Sequence, residues 1–258
     1  MATVLVHSGV DVTPDALVQE VYLPDRRGSL QIEMMASARR HGRLPVPLSQ
    51  NLPALLEEVA SGSPVLVLQN LGFSRLPRWH YAVVVGYDPA ARTVLLRSGR
   101  QARRQEGIER FDRSWTLAGR WAVRLLRPGE LPSTAEPGTY LRAVMESRHA
   151  LRESDVGLAL AAGAAHWPGS ANLAFAAANH ALESGDTHAA VVLYEQALSA
   201  DADHLGALNN LADLMLSLGE VARARALIDR ALSLVQEGSP FRAVIEATQE
   251  EIAVQEER

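Results

Sequence analysis

The residue with the clearest chemical potential is His80. It opens an apolar run, Trp79-His80-Tyr81-Ala82-Val83-Val84-Val85-Gly86-Tyr87. An imidazole titrates near pH 6.5 and can take or give a proton at physiological pH. Taken alone, the pattern fits a hydrogen-bonded histidine at the end of a sheet. His7, His41, His149, His166, His180, His188 and His204 have no carboxylate partners at metal-ligand spacing, so no metal site and no cofactor is expected. There is no Gly-rich phosphate loop, no Gly-x-Ser-x-Gly elbow and no His-Glu-x-x-His motif. Cysteine is absent, and all 25 basic residues are arginine. Thiol and lysine chemistry are therefore outside the reach of these residues.

The elements that would position His80 follow from the apolar pattern. Residues 1–8 read as the end of a helix closed by Gly9. Thr13-Pro14-Asp15 reads as a helix start, with a capping oxygen, a proline at the first helical position and an acid near the helix dipole. Ser29–Arg40 and Leu52–Ala60 read as two further helices. The period then changes. Pro64–Leu68 is a continuous apolar run, expected as a buried strand. Tyr81–Gly86 is a second strand. Asp88-Pro89 marks a turn, and Thr93–Leu96 pairs back as a hairpin. Trp121–Leu126 is a last strand. The expected class of this half is α+β, with helices first and then a mostly antiparallel sheet.

This order, with His80 opening its strand, resembles the papain-like cysteine peptidases, and most of all the bacteriocin-processing, double-glycine leader peptidases. The resemblance covers residues 1–127. It implies that His80 stands at the position of the catalytic base. Such chemistry needs a thiolate nucleophile, a histidine that holds its proton and a polar group that orients the histidine. In the family an Asp or Asn orients the histidine from the end of the hairpin's second strand. Here that slot falls on Ser98, which accepts a hydrogen bond but carries no charge. Asp88 reads as a hairpin-turn residue. The family's cysteine opens the first long helix, and Met1–His7 resembles the remainder of that helix. The expectation is a peptidase-like chain that lacks its nucleophile and is inactive as it stands. An in-frame Cys-Gly motif in the coding DNA upstream of Met1 would favour the enzyme. A stop codon there would favour a non-catalytic adaptor built on a decayed peptidase fold.

The second half is a different object. Ala178, Gly185, Ala190 and Ala197 recur as Ala212, Gly219, Ala224 and Ala231, each 34 residues on. A fixed period of this length, with small residues where two helices must approach, resembles the tetratricopeptide repeat. The expected organisation is a peptidase-like domain at 1–127 and a linker at 128–136. Repeats follow at 137–170 (degenerate), 171–204 and 205–238, with a capping helix at 239–258. The resemblance implies that the first helices of the repeats bind a peptide or protein segment. The candidate residues are Phe175, Asn179, Asn209 and Asn210. Phe175 stands where carboxylate-binding members carry lysine, so a terminal-carboxylate clamp is not expected.

Charge divides at the same place. Residues 1–130 hold 17 arginines against 12 acids, net +5, and residues 131–258 are net −10. The arginines of the first half are interleaved with acids. Their one dense run, Arg97–Arg113, reads as a solvated loop, so no nucleic-acid partner is expected. No apolar run approaches the roughly 18 residues of a membrane span. The chain reads as soluble, with the cell envelope or periplasm as an option if a leader precedes Met1.

Overall fold

A computed structural model describes residues 1–26, 28–99 and 101–256. The chain forms two compact units, Met1–Ala159 and Leu160–Arg258.

The first unit is α+β. Helices α1 (Ala2–His7), α2 (Pro14–Val21) and α3 (Gln31–Arg40) lead into strand β1 (Leu44–Pro47) and helix α4 (Leu52–Ala60). Strands β2 (Val65–Asn70), β3 (Trp79–Asp88), β4 (Thr93–Ser98) and β5 (Gln101–Gly107) follow. Helix α5 (Ile108–Thr116) then precedes β6 (Ala122–Leu126), and α6 (Pro137–Ser147) follows it. The six strands form one antiparallel sheet in the order β1-β6-β2-β3-β4-β5. Local chemistry sets the helix starts. The Thr13 hydroxyl accepts the Ala16 N–H at 3.3 Å, and Asn51 Oδ1 accepts the Ala54 N–H at 2.9 Å. Gly9 closes α1 with φ of 86°, a conformation that favours glycine.

The period of two along each strand sorts side chains between two cores. Val65, Val67, Ala82, Val84, Val94 and Leu96 face Leu55 and Val59 of α4 and Phe111 and Trp115 of α5. Leu66, Val83, Val123 and Leu125 face Val4, Leu5, Leu17, Met34 and Ala38 of the first three helices. Strand β2 is covered on both sides, which explains its unbroken apolar run.

Three sequence expectations are corrected here. The run Arg97–Arg113 is not a solvated loop: it holds the end of β4, then β5 and most of α5; Arg100 lies outside the described residues. Strand β5 is an edge strand whose one buried residue is Glu106, so it shows no apolar alternation. Helix α5 hides its buried stripe, Phe111, Ser114 and Trp115, among charges. Strand β1 was not among the expected strands; it contains Pro45 and Pro47 and lies at the sheet edge, where proline is tolerated. Strictly separated helices and strands do not hold either, since β1 falls between α3 and α4 and α5 falls between β5 and β6.

The expected linker 128–136 lies inside the first unit, where α6 packs on β1. Helix α7 (Glu153–His166) spans the division between the units. The second unit is a succession of antiparallel helices: α8 (Ala171–Glu183), α9 (Thr187–Ala200), α10 (Leu205–Ser217), α11 (Val221–Leu234) and α12 (Arg242–Glu256). The 34-residue pattern has a direct cause. Ala178, Ala190, Ala212 and Ala224 are fully buried where helices meet. Gly185 and Gly219 take φ of 83° and 79° in the turns between paired helices. Tyr194 and Ile228 fill the equivalent large positions. On α12, Ile245 and Ile252 close this core, while Val244, and Phe241 just before the helix, stay exposed. Among the described residues, no helix is long and apolar enough to cross a membrane.

Candidate functional site

In the first unit the strand register determines what surrounds His80. Gln69 of β2 is paired with His80, and Ala82 of β3 is paired with Ser98 of β4. His80 and Ala82 share a face, so Ser98 is the diagonal neighbour of His80. Nε2 of His80 lies 2.7 Å from Oγ of Ser98. The two residues singled out from the sequence are thus in direct hydrogen-bond contact. Asp88 is elsewhere: it caps the hairpin turn by accepting the Ala91 N–H at 2.9 Å.

A polar cluster continues from this face of the sheet. Buried Gln69 donates from Nε2 to Ser114 Oγ at 2.8 Å and lies 3.4 Å from Glu106 Oε2. Glu106 also meets Arg110 at 3.2 Å and Arg104 at 3.6 Å. Gln69, Glu106 and Ser114 were not expected as part of a site. The one sequence signal was a polar residue directly after the apolar run of β2.

Burial holds the His80 imidazole below its ordinary pKa. Arg104 and Arg78 push the same way, and Glu106 opposes them. The folded state therefore favours the neutral ring, and the unfolded chain takes up the proton first as pH falls. The stability this contributes is complete above the ordinary histidine pKa, near 6.5. It is lost as pH drops below that value and through the folded-state pKa. An NMR titration is expected to place the His80 midpoint below 6.5, and Arg104→Ala is expected to raise it. A midpoint at or above 6.5 would contradict the desolvated setting.

In the second unit, Asn179 of α8, Tyr194 of α9 and Asn210 of α10 form one network. The Tyr194 hydroxyl donates to Asn179 Oδ1 at 2.6 Å. Asn210 Nδ2 donates to the same oxygen at 3.0 Å and lies 3.4 Å from the Tyr194 hydroxyl. Phe175 stands beside them, its ring centroid 6.0 Å from Tyr194 and 4.8 Å from His204. Gly206 makes room for that ring, since a Cβ there would lie 2.9 Å from Phe175 Cζ. Asn209 reaches Asn210 Oδ1 at 3.3 Å, but its own oxygen points into the core and accepts the Thr248 hydroxyl at 3.1 Å. Burial raises the pKa of Tyr194; Asn210 opposes this, while Glu183 and Asp213 add to it. The hydroxyl thus stays protonated and serves as a donor. Tyr194 and His204 are additions to the expected set. The role of the Tyr194 hydroxyl has no sequence signal of its own.

The match to a known family falls within the second unit. A sequence model described as a tetratricopeptide repeat matches residues 181–246. The chain therefore consists of an α+β domain followed by tetratricopeptide-type helices. Among solved structures, it is similar to the type III secretion chaperone SycD of Yersinia enterocolitica. With SycD bound to a peptide of the translocator YopD, identity is 13%, coverage is 46% of this chain and 91% of that one, and the TM-score is 0.42. MamA is similar at 16% identity over 47% of this chain and 67% of that one, TM-score 0.39. The TPR2B domain of yeast Sti1 is similar at 16% identity over 46% and 94%, TM-score 0.39. No curated protein sequence matches.

These findings correct one expectation. The terms peptidase, hydrolase and proteolysis do not describe this chain. It holds no cysteine, and the group 2.7 Å from His80 is the Ser98 hydroxyl.

Proposed function

We propose that this chain is a non-catalytic adaptor. Its repeat unit holds an extended segment of a partner protein along the first helices of successive repeats, α8 and α10. Its α+β unit is a papain-like scaffold without turnover, in which His80 and Ser98 tie β3 to β4. The observation that carries the reading is the Asn179–Tyr194–Asn210 network, which joins amide groups from two consecutive repeats beside the Phe175 ring. Side-chain amides so placed offer both donors and acceptors to a peptide backbone.

Charge narrows the partner. Glu183 and Asp213, both exposed, flank Tyr194. Arg223, Arg225, Arg230 and Arg242 are each engaged by carboxylates. The groove therefore suits a neutral or cationic segment rather than an acidic one.

The test is calorimetric titration of the full chain with peptides retained from a random library. Asn179→Ala and Asn210→Ala are each expected to weaken binding roughly 5- to 10-fold, the loss of about one net hydrogen bond. His80→Ala is expected to leave binding unchanged. If no peptide is retained, or if retention is indifferent to both asparagines, the adaptor reading fails.

A further inference from the structure

The segment joining β2 to β3 displays three large apolar side chains to solvent. Phe73 is 77% exposed, Leu76 74% and Trp79 58%. Its backbone is closed on itself. Asn70, itself buried, accepts the N–H groups of Gly72 and Arg78 with one side-chain oxygen, both at 2.9 Å. The Leu71 N–H donates to the Arg78 carbonyl at 2.9 Å, and Phe73 and Leu76 exchange backbone hydrogen bonds at 3.2 and 3.1 Å. A Cβ on Gly72 would stand 2.3 Å from the Leu76 carbonyl oxygen, so the closure depends on glycine. A loop pinned in this way does not fold its apolar side chains back onto the body. They are presented outward.

Between them stand Arg75 and Arg78, both exposed and neither ion-paired with another described residue. No acid occurs anywhere from Val59 to Tyr87. The loop is thus apolar at its tips, cationic in between and without counter-charge of its own.

We propose that this loop docks on an anionic phospholipid surface, with Phe73, Leu76 and Trp79 seated among the headgroups and Arg75 and Arg78 on lipid phosphates. Projecting side chains need a shape-matched pocket in a protein partner but none in a fluid bilayer surface. Trp is suited to headgroup depth, and guanidinium binds phosphate through paired N–H donors. Three apolar anchors alone bind weakly, so the two cations supply the second signal that stable surface attachment requires.

The test is co-sedimentation of the full chain with phosphatidylcholine vesicles, with and without phosphatidylglycerol. Binding is expected to be selective for the anionic vesicles and to fall with added salt. Neutralising either arginine should weaken partitioning roughly 5-fold, about 1 kcal/mol each. The pair Phe73→Ser and Leu76→Ser should weaken it at least 10-fold, with thermal unfolding unchanged because both side chains are exposed. Brominated phosphatidylglycerol should quench fluorescence in the parent and not in Trp79→Phe. The proposal is overturned by absence of binding to anionic vesicles, or by binding indifferent to the loop variants. It is also overturned if the loop is needed only to capture an acidic protein segment and vesicles are ignored.

Discussion

Glu58→Ala is expected to lower the stability of the α+β unit by about 3–5 kcal/mol. Glu58 lies in α4 with no solvent exposure. Its Oε2 meets the Arg124 guanidinium of β6 at 2.5 Å, and its Oε1 accepts the N–H and hydroxyl of Thr134 at 2.8 and 3.0 Å. One carboxylate therefore binds a helix, the sheet and the segment beyond β6. Removing it strands a guanidinium that is only 13% exposed, together with two donors of Thr134. The loss is large because the remaining charge stays desolvated, not because the pair is itself worth that much. Urea unfolding monitored by circular dichroism checks the value. The double variant with Arg124→Ala should be less destabilised than the sum of the two single variants, since it leaves no orphan charge. A loss below about 1 kcal/mol for Glu58→Ala would mean that Arg124 finds water or another partner.

What could be read from the sequence, and what could not, divides along physical lines. The repeats were legible because their causes are local: alanine where helices touch, glycine where φ must be positive, and both return 34 residues later. Ser98 was singled out through the papain-like resemblance, which places an orienting residue at the end of the hairpin's second strand; antiparallel pairing with a period of two leaves that slot little freedom once the hairpin is in register. The cluster of Gln69, Glu106 and Ser114 was not legible, since it joins β2, β5 and α5 across 45 residues through side chains with no pattern of their own. Asn209 illustrates the same limit. Its type and position suit a groove, yet its oxygen is taken by Thr248, 39 residues away. The terms peptidase, hydrolase and proteolysis failed at another level. An arrangement of helices and strands carries no reaction without the atoms that perform it, and a histidine beside a serine hydroxyl in a chain without cysteine is not a thiol catalyst.

Trp115→Ala is expected to cost the same unit about 3–5 kcal/mol, although most of its helix, α5, lies in the run 97–113 that reads in sequence as a solvated loop. Trp115 is fully buried and stacks on Phe111, with ring centroids 5.8 Å apart. Its indole N–H donates to the Trp121 carbonyl at 2.9 Å, where β6 begins. Alanine would leave a cavity the size of an indole under the sheet and take one of two donors from the Trp121 carbonyl, which also accepts the Leu68 N–H at 3.2 Å. These are two separate penalties, and a conservative change divides them. Trp115→Phe keeps most of the apolar volume and loses the hydrogen bond, so a loss of about 1–3 kcal/mol is expected. The consequence should also reach His80. Trp121 packs edge-on against Tyr81, centroids 5.8 Å apart, and Tyr81 is the chain neighbour of His80. A shift of Trp121 would therefore change the environment of the imidazole. Thermal unfolding gives the stability loss, and the His80 resonance of the folded variant reports the local change. If Trp115→Ala melted within a degree or two of the parent, α5 would be resting on the sheet without contributing to its core, and the strand pairing alone would have to hold His80 against Ser98.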